Sequence, residues 1–159
     1  MNHDLTIKRF FEDRKFSENF VKDYFLNDAS VVIKTGSIKH EKSDFVDEHH
    51  KARYTDILLS GELEGGAQAK FLMLIEHQST KDKLMPLRIY RYSCLALESH
   101  VERHGFQKGL PTIFTMVFYT GRGEMVNGDI YSLFQKPELA RKYSFQELKI
   151  VNVNQYQMD

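Results

Sequence analysis

Residues 53–78 read RYTDILLSGELEGGAQAKFLMLIEHQ, and this stretch decides the fold. Two apolar runs, each about as long as a β-strand, flank the glycine-rich segment EGGAQ at residues 64–68. Because glycine readily adopts the backbone angles of tight turns, this pattern predicts an antiparallel hairpin. The second run, FLMLI, is continuously apolar, which is typical of a strand that is buried on both faces.

Each strand of this hairpin carries one acid beside its apolar run. Asp56 starts the first strand and Glu76 ends the second, so both are expected at the same end of the hairpin. Two carboxylates close together repel each other unless a cation or a proton lies between them. Oxygen ligands without a thiolate favour Mg²⁺ or Mn²⁺ over zinc. The residues alone leave two interpretations open, a metal site or acids that face water or pair with basic side chains.

Helical patterns occur on both sides of the hairpin. Apolar residues spaced by three to five positions predict a helix from Ile7 onward and a second from about Glu18 to Leu26, with Ser17 as its N-cap. MPLRIYRYSCLALESHVERHG predicts a long helix that ends at Gly105.

The C-terminal part of the chain adds strands and one short helix. LPTIFTMVFYTG predicts a strand, a short helix follows Pro137, and FQELKIVNVNQYQ is compatible with a last strand. The order of elements indicates one α/β domain with a central sheet.

Composition narrows the class of protein. The 159 residues include 22 Lys and Arg against 22 Asp and Glu, so the formal net charge is zero. This balance argues against a highly basic, sequence-blind nucleic-acid binder, although a local basic patch remains open. Cys94 is the only cysteine, which excludes an internal disulfide, and its apolar neighbours predict a buried side chain. A polar N-terminus and the lack of a long apolar run predict a cytoplasmic protein with no membrane partner.

A local basic patch does follow the second strand of the hairpin. Lys81, Lys83, Arg88 and Arg91 are separated by a single acid, Asp82. Beside a metal site these side chains would neutralise a phosphate backbone, and they are the candidate DNA contacts. The alternative is the ordinary solvated first turn of a helix.

Asp56, Glu76 and Gln78 together resemble the paired-strand core of the PD-(D/E)xK nuclease superfamily, with Gln78 where the archetype has lysine. The wider sequence is similar to the Rpn family, the recombination-promoting nucleases that are also called YhgA-like transposases. Four phrases carry this resemblance in order, namely HDLTIKRFF, SDFVDEHHKARYTDILL, LIEHQSTKDKLMPLRIYRY and LPTIFTMVFYTG.

The resemblance implies a single PD-(D/E)xK nuclease-like domain over residues 1–159. It implies a restriction-endonuclease-like core, with a central mixed sheet flanked by helices, and Mg²⁺- or Mn²⁺-dependent hydrolysis of DNA linked to recombination or mobile elements. On this basis Asp56 and Glu76 bind the metal, the backbone carbonyl of His77 is a further ligand, and Gln78 orients the attacking water.

Superfamily members often add an acid from an early helix. The candidates in this chain are Asp4, Asp47 and Glu48, and the sequence does not choose among them.

Two features depart from the family pattern. The chain has no tryptophan, and family members are commonly longer, so it could be a truncated copy or the N-terminal catalytic part of a longer protein. Gln78 supplies only a dipole where lysine would supply a charge. A second interpretation therefore stays open, a catalytically degenerate member that serves as a DNA-binding or protein-interaction module. A homodimer is a further open possibility.

Overall fold

The computed structural model describes five parts of the chain, residues 3–26, 30–41, 54–76, 82–119 and 128–148. The helices are α1 His3–Glu12, α2 Arg14–Phe20, α3 Met85–His104 and α4 Pro137–Tyr143. A π-helical segment, Val21–Phe25, continues α2, and a 3-10 turn, Ile130–Leu133, precedes α4. The strands are β1 Lys39–Glu41, β2 Tyr54–Glu62, β3 Gln68–Glu76 and β4 Thr112–Tyr119.

These strands form one mixed sheet in the order β1-β2-β3-β4. Strands β1, β2 and β3 are successively antiparallel, and β4 is parallel to β3. The predicted hairpin is therefore confirmed, as is the predicted α/β class with helices flanking a central mixed sheet. This arrangement is consistent with a restriction-endonuclease-like core.

Each face of the sheet is covered by a different set of helices. Ile57, Phe71 and Met73 lie on one face and pack with Phe11 and Val21 from the N-terminal helices. Residues one position away along each strand face the opposite way, as the strand period requires. This second face buries the side chains of Leu58, Leu72, Leu74, Met85, Ile89, Tyr92 and Ala96.

Helix α3 is the crossover that parallel pairing of β3 and β4 requires. It begins nine residues after Glu76, and it leads to β4, whose first residue Thr112 lies opposite Ala69 near the start of β3. The helix therefore runs antiparallel to β3, and its N-terminal half covers the end of the sheet that carries Glu76. Gly105, with a φ of 72°, ends the helix as predicted.

Two local predictions are wrong. Asp13, not Ser17, caps α2, because its carboxylate accepts a hydrogen bond of 2.8 Å from the Phe16 N–H. Ser17 lies inside the helix, buried, and its hydroxyl donates to the Phe11 carbonyl. Cys94 is exposed, because it lies on the side of α3 that faces away from the sheet.

The C-terminal prediction is tested only in part. The short helix after Pro137 is confirmed, whereas residues 145–148 form no strand. Residues 149–157, the remainder of the predicted last strand, lie outside the described residues. In the described ranges, none of the helices combines the length and apolar character that a membrane crossing requires.

Candidate functional site

The register of the hairpin sets the positions of the two acids. Asp56 lies opposite Leu74, and Glu76 lies opposite Tyr54, so Asp56 and Glu76 are diagonal neighbours on adjacent strands. Such neighbours share a face and are typically about 7–8 Å apart at the backbone, a distance that two carboxylates can span to reach one cation. They lie on the face that α3 covers.

Asp56 is buried, with 5% of its surface exposed. Lys8 on α1 approaches it, with Nζ 3.9 Å from Oδ1. A buried carboxylate needs a cation or hydrogen-bond donors, because transfer of a charge out of water is costly. The burial of Asp56 therefore excludes the interpretation that this acid simply faces water.

Lys8 reaches Asp56 from the other layer of helices. Its neighbours Ile7 and Phe11 pack in the core under the N-terminal helices, whereas Asp56 points to the face of α3. The described part of β1 pairs with β2 only from Leu58 onward, so the segment of β2 that contains Asp56 extends beyond it. At this end of the hairpin the Lys8 ammonium lies 3.9 Å from a carboxylate that belongs to the opposite face.

His40 adds a titratable group that feels the charges of both Lys8 and Asp56. Burial lowers the pKa of His40, and the charge of Lys8 acts in the same direction. The charges of Glu12, Asp56 and Glu41 raise this pKa but do not restore its ordinary value. The imidazole is therefore largely neutral at pH 7, and Lys8 brings the positive charge to the surroundings of Asp56.

The predicted basic patch is only partly described. Arg88 pairs with Asp82, with 2.8 Å between Nε and Oδ2, and both side chains are more than four-fifths buried. Asp82 also accepts a hydrogen bond from the Leu84 N–H, so this pair organises the start of α3. Lys83 and Arg91 are exposed, and Arg91 lies on the outward side of the helix.

Several predicted site residues lie outside the described residues, namely His77, Gln78, Lys81, Asp47 and Glu48. Of Glu76 and Asp4, only the backbone is described. Among the side chains that the structure does describe, no three His, Cys, Asp or Glu residues form a cluster. Asp4 lies one helical turn before Lys8 on α1, a position that brings it to the same side of this helix.

The donors present fit a hard divalent cation. One carboxylate is buried near the end of the hairpin, and a second acid occupies the diagonal position on the neighbouring strand. Oxygen ligands of this kind suit Mg²⁺ or Mn²⁺, and the described site offers no thiolate.

A second polar cluster lies on the same face of the sheet, at the opposite end. Lys70 is 3% exposed, and its ammonium group donates to both Glu41 oxygens at 2.8 and 2.7 Å. Burial raises the pKa of Glu41, but hydrogen bonds from Lys70 and Ser60, with the charges of Lys70 and Arg103, outweigh it and leave the pKa below its ordinary value. This cluster ties β1, β3 and the C-terminal half of α3 together.

The sequence reasoning missed both Lys8 and Lys70. Lys8 lies in the phrase HDLTIKRFF, one helical turn after an acid, and this spacing was the available signal. Lys70 interrupts an apolar strand on the face that later proves to be buried. Its partner Glu41 is 29 residues away, so local pattern alone does not reveal the pair.

The chain matches known proteins over nearly its whole length. The family described as "Putative transposase, YhgA-like" matches residues 1–159. Recombination-promoting nuclease RpnD of Escherichia coli O157:H7 is 32% identical over 142 residues, which cover 88% of this chain and 54% of the relative. RpnA of E. coli K12, also named a recombination-promoting nuclease, is 30% identical over 95% of this chain and 51% of its own length.

Not every relative carries the name of an active enzyme. The protein named inactive recombination-promoting nuclease-like protein RpnE, of E. coli K12, is 25% identical over 95% of this chain and 50% of its own length. The chain thus spans about half the length of these curated relatives. No solved structure shows a significant match. Because the family match covers all 159 residues, the chain belongs to the YhgA-like family, which includes the Rpn recombination-promoting nucleases.

Proposed function

We propose that the chain is a nuclease domain that hydrolyses DNA phosphodiester bonds with Mg²⁺ or Mn²⁺, in a process linked to recombination or mobile elements. One observation carries the proposal: the buried carboxylate of Asp56 lies diagonally across the hairpin from Glu76, on the same face. The names of the relatives support nuclease chemistry, and DNA is the substrate that recombination implies.

The proposed roles follow from the resemblance to the PD-(D/E)xK nucleases, and the positions of Asp56 and Glu76 on the hairpin support them. Asp56 and Glu76 hold the metal, with the His77 carbonyl as a further ligand. A metal held there lowers the pKa of a bound water and offsets charge that develops on the phosphate. Gln78, two positions after Glu76 in the sequence, orients the attacking water by hydrogen bonding.

The bond changes are those of hydrolysis. The oxygen of water forms a bond to phosphorus, and the bond from phosphorus to the leaving ester oxygen breaks. Water loses a proton, and the leaving oxygen gains one. The protein's part is to hold the metal through Asp56 and Glu76, and to orient the water and the phosphate.

Two further parts of the proposal draw support from contacts of the described residues. Asp4 becomes the preferred early-helix acid, because Lys8, one turn further along α1, reaches Asp56. Arg88 takes a supporting role at the start of α3, since Asp82 engages its guanidinium. Lys81, Lys83 and Arg91 then remain as the side chains proposed to contact the phosphate backbone of DNA.

The second candidate function is an inactive family member that binds DNA or protein. The match to RpnE, which is named inactive, favours it. Retention of a buried Asp56 argues against it, because a site without metal gains nothing from a second acid at the diagonal position. A single domain over residues 1–159, a cytoplasmic location and a homodimer stay predictions.

Nicking of supercoiled plasmid tests the proposal. The wild type is expected to nick with Mg²⁺ or Mn²⁺ and to stop when EDTA is added, whereas Asp56→Asn and Glu76→Gln are expected to lose the activity. Glu62→Gln is the matched control, because Glu62 lies on the same face at the far end of β2, where it pairs with Lys34. The nuclease proposal would be overturned in favour of a binding module if the wild type did not nick with either metal. It would also be overturned if Asp56→Asn and Glu76→Gln nicked as fast as the wild type and Glu62→Gln.

A further inference from the structure

Gln78 cannot supply a positive charge to the reacting phosphate. An amide offers a dipole, whereas a lysine ammonium carries a full charge to the transition state. The described residues place one lysine at the candidate site, because Lys8 lies 3.9 Å from the carboxylate of Asp56.

We propose that Lys8 supplies this charge, by a contact to a non-bridging oxygen of the scissile phosphate. The inference rests on the proposed nuclease function and extends it to a residue outside the hairpin. In the protein without substrate the ammonium stays near Asp56, and when a metal and DNA are bound it turns to the phosphate.

The contact of Lys8 has the looseness that such a change requires. Its distance of 3.9 Å exceeds those of the other lysine pairs in the described chain, which are 2.8 Å for Lys22 and Glu18, 2.9 Å for Lys34 and Glu62, and 2.7 Å for Lys70 and Glu41. The Lys8 side chain is 39% exposed, whereas that of Asp56 is 6% exposed. A flexible stem with an accessible ammonium group can therefore follow a ligand that arrives from solvent.

Helix α1 holds Lys8 firmly at its base. The neighbours Ile7 and Phe11 pack in the core, so the backbone at Lys8 is fixed while the end of its side chain is free to reorient. The same geometry makes Lys8 a competitor of the metal, because both cations are attracted to the Asp56 carboxylate.

This competition separates a catalytic role from a structural one. Loss of the ammonium removes a like charge from beside the metal, so Lys8→Met is expected to bind Mn²⁺ roughly 10-fold more tightly. The same variant is expected to nick DNA about 100-fold more slowly at saturating Mn²⁺, because a transition-state contact is gone. A lysine that only supported the fold would weaken both properties together.

The experiment combines calorimetric titration with Mn²⁺, in the absence of DNA, and single-turnover nicking at saturating Mn²⁺. Lys8→Met keeps an unbranched side chain with good helix propensity, and Lys8→Arg, which keeps the charge, is expected to recover most of the nicking rate. Arg9→Met is the matched control, because it removes one charge from an exposed position of the same helix.

The outcomes distinguish this inference from the proposed function. Tighter Mn²⁺ binding with slower nicking in Lys8→Met, and wild-type behaviour in Arg9→Met, supports the role of Lys8. If the wild type nicks and Lys8→Met nicks equally fast, or binds Mn²⁺ more weakly, only the inference is overturned. If the wild type does not nick, whether or not it binds Mn²⁺, the nuclease function fails and the role of Lys8 fails with it.

Discussion

Lys70→Met tests how much the buried ion pair with Glu41 contributes to folding. The variant keeps an unbranched side chain but removes the cation that donates to both Glu41 oxygens. The two side chains are 4% and 18% exposed, so the carboxylate loses its main partner while it stays largely out of water. Breaking a buried pair from one side costs about 3–5 kcal/mol. Because Arg103 lies 3.9 Å from Glu41 and compensates in part, the expected loss is about 3 kcal/mol.

Urea unfolding at pH 7 measures this loss, as a lower midpoint with an unchanged slope. The double variant Glu41→Gln/Lys70→Met removes both charges and is expected to lose less stability than Lys70→Met alone. The Lys34→Met variant provides a matched control, because Lys34 forms a similar pair with Glu62 in which its own side chain is 60% exposed. A loss below about 1 kcal/mol for Lys70→Met, as for a surface pair, would refute the reasoning.

Three further predictions follow from the described residues. The folded-state pKa of Glu41 is lowered, so the stability that its charge contributes is present above about pH 4.5 and is lost as the pH falls through the folded-state pKa. In Lys70→Met the main cause of this lowered pKa is gone. Between about pH 3 and 6 the urea midpoint of Lys70→Met should therefore fall less with decreasing pH than that of the wild type. Gly61→Ala is expected to cost about 1–3 kcal/mol in urea unfolding, because a Cβ there would lie 2.8 and 2.9 Å from the side chains of Ile33 and Ile38; an unchanged midpoint would contradict this packing. Lys83→Gln is expected to weaken DNA binding about equally for all sequences and to reduce the slope of affinity against salt, and an unchanged salt slope in a fluorescence titration would remove Lys83 from the interface.

Local pattern was sufficient for the main elements of the fold. The EGGAQ turn between two apolar runs defines β2 and β3, and Gly105 marks the end of α3. The hairpin alone also places Asp56 and Glu76 at the same end of the sheet, because an antiparallel pair brings the start of one strand beside the end of the next.

Local pattern was insufficient where two residues compete or where partners are distant. Asp13 and Ser17 are both good N-caps, and the choice depends on the burial of Ser17 against the Phe11 carbonyl, a tertiary contact. The position of Lys8 beside Asp56 depends on how α1 packs against β2, which spacing along the chain does not encode.

The exposure of Cys94 was available from the sequence. Residues Met85, Ile89, Tyr92 and Ala96 define the buried side of α3, and a helical period of 3.6 residues puts position 94 on the opposite side. The prediction of a buried side chain relied on the apolar neighbours of Cys94 along the chain. These neighbours do not indicate on which side of the helix Cys94 lies.

Whether Asp56 and Glu76 act as one metal site is tested most directly by single-turnover DNA cleavage with Mn²⁺. The comparison covers the wild type, Asp56→Asn, Glu76→Gln and the double variant. Residues that act as a unit are strongly non-additive, so each single variant is expected to lose nearly all of the rate and the double variant to lose no more. Independent, multiplying losses, or single variants that cleave at the wild-type rate, would contradict a shared metal.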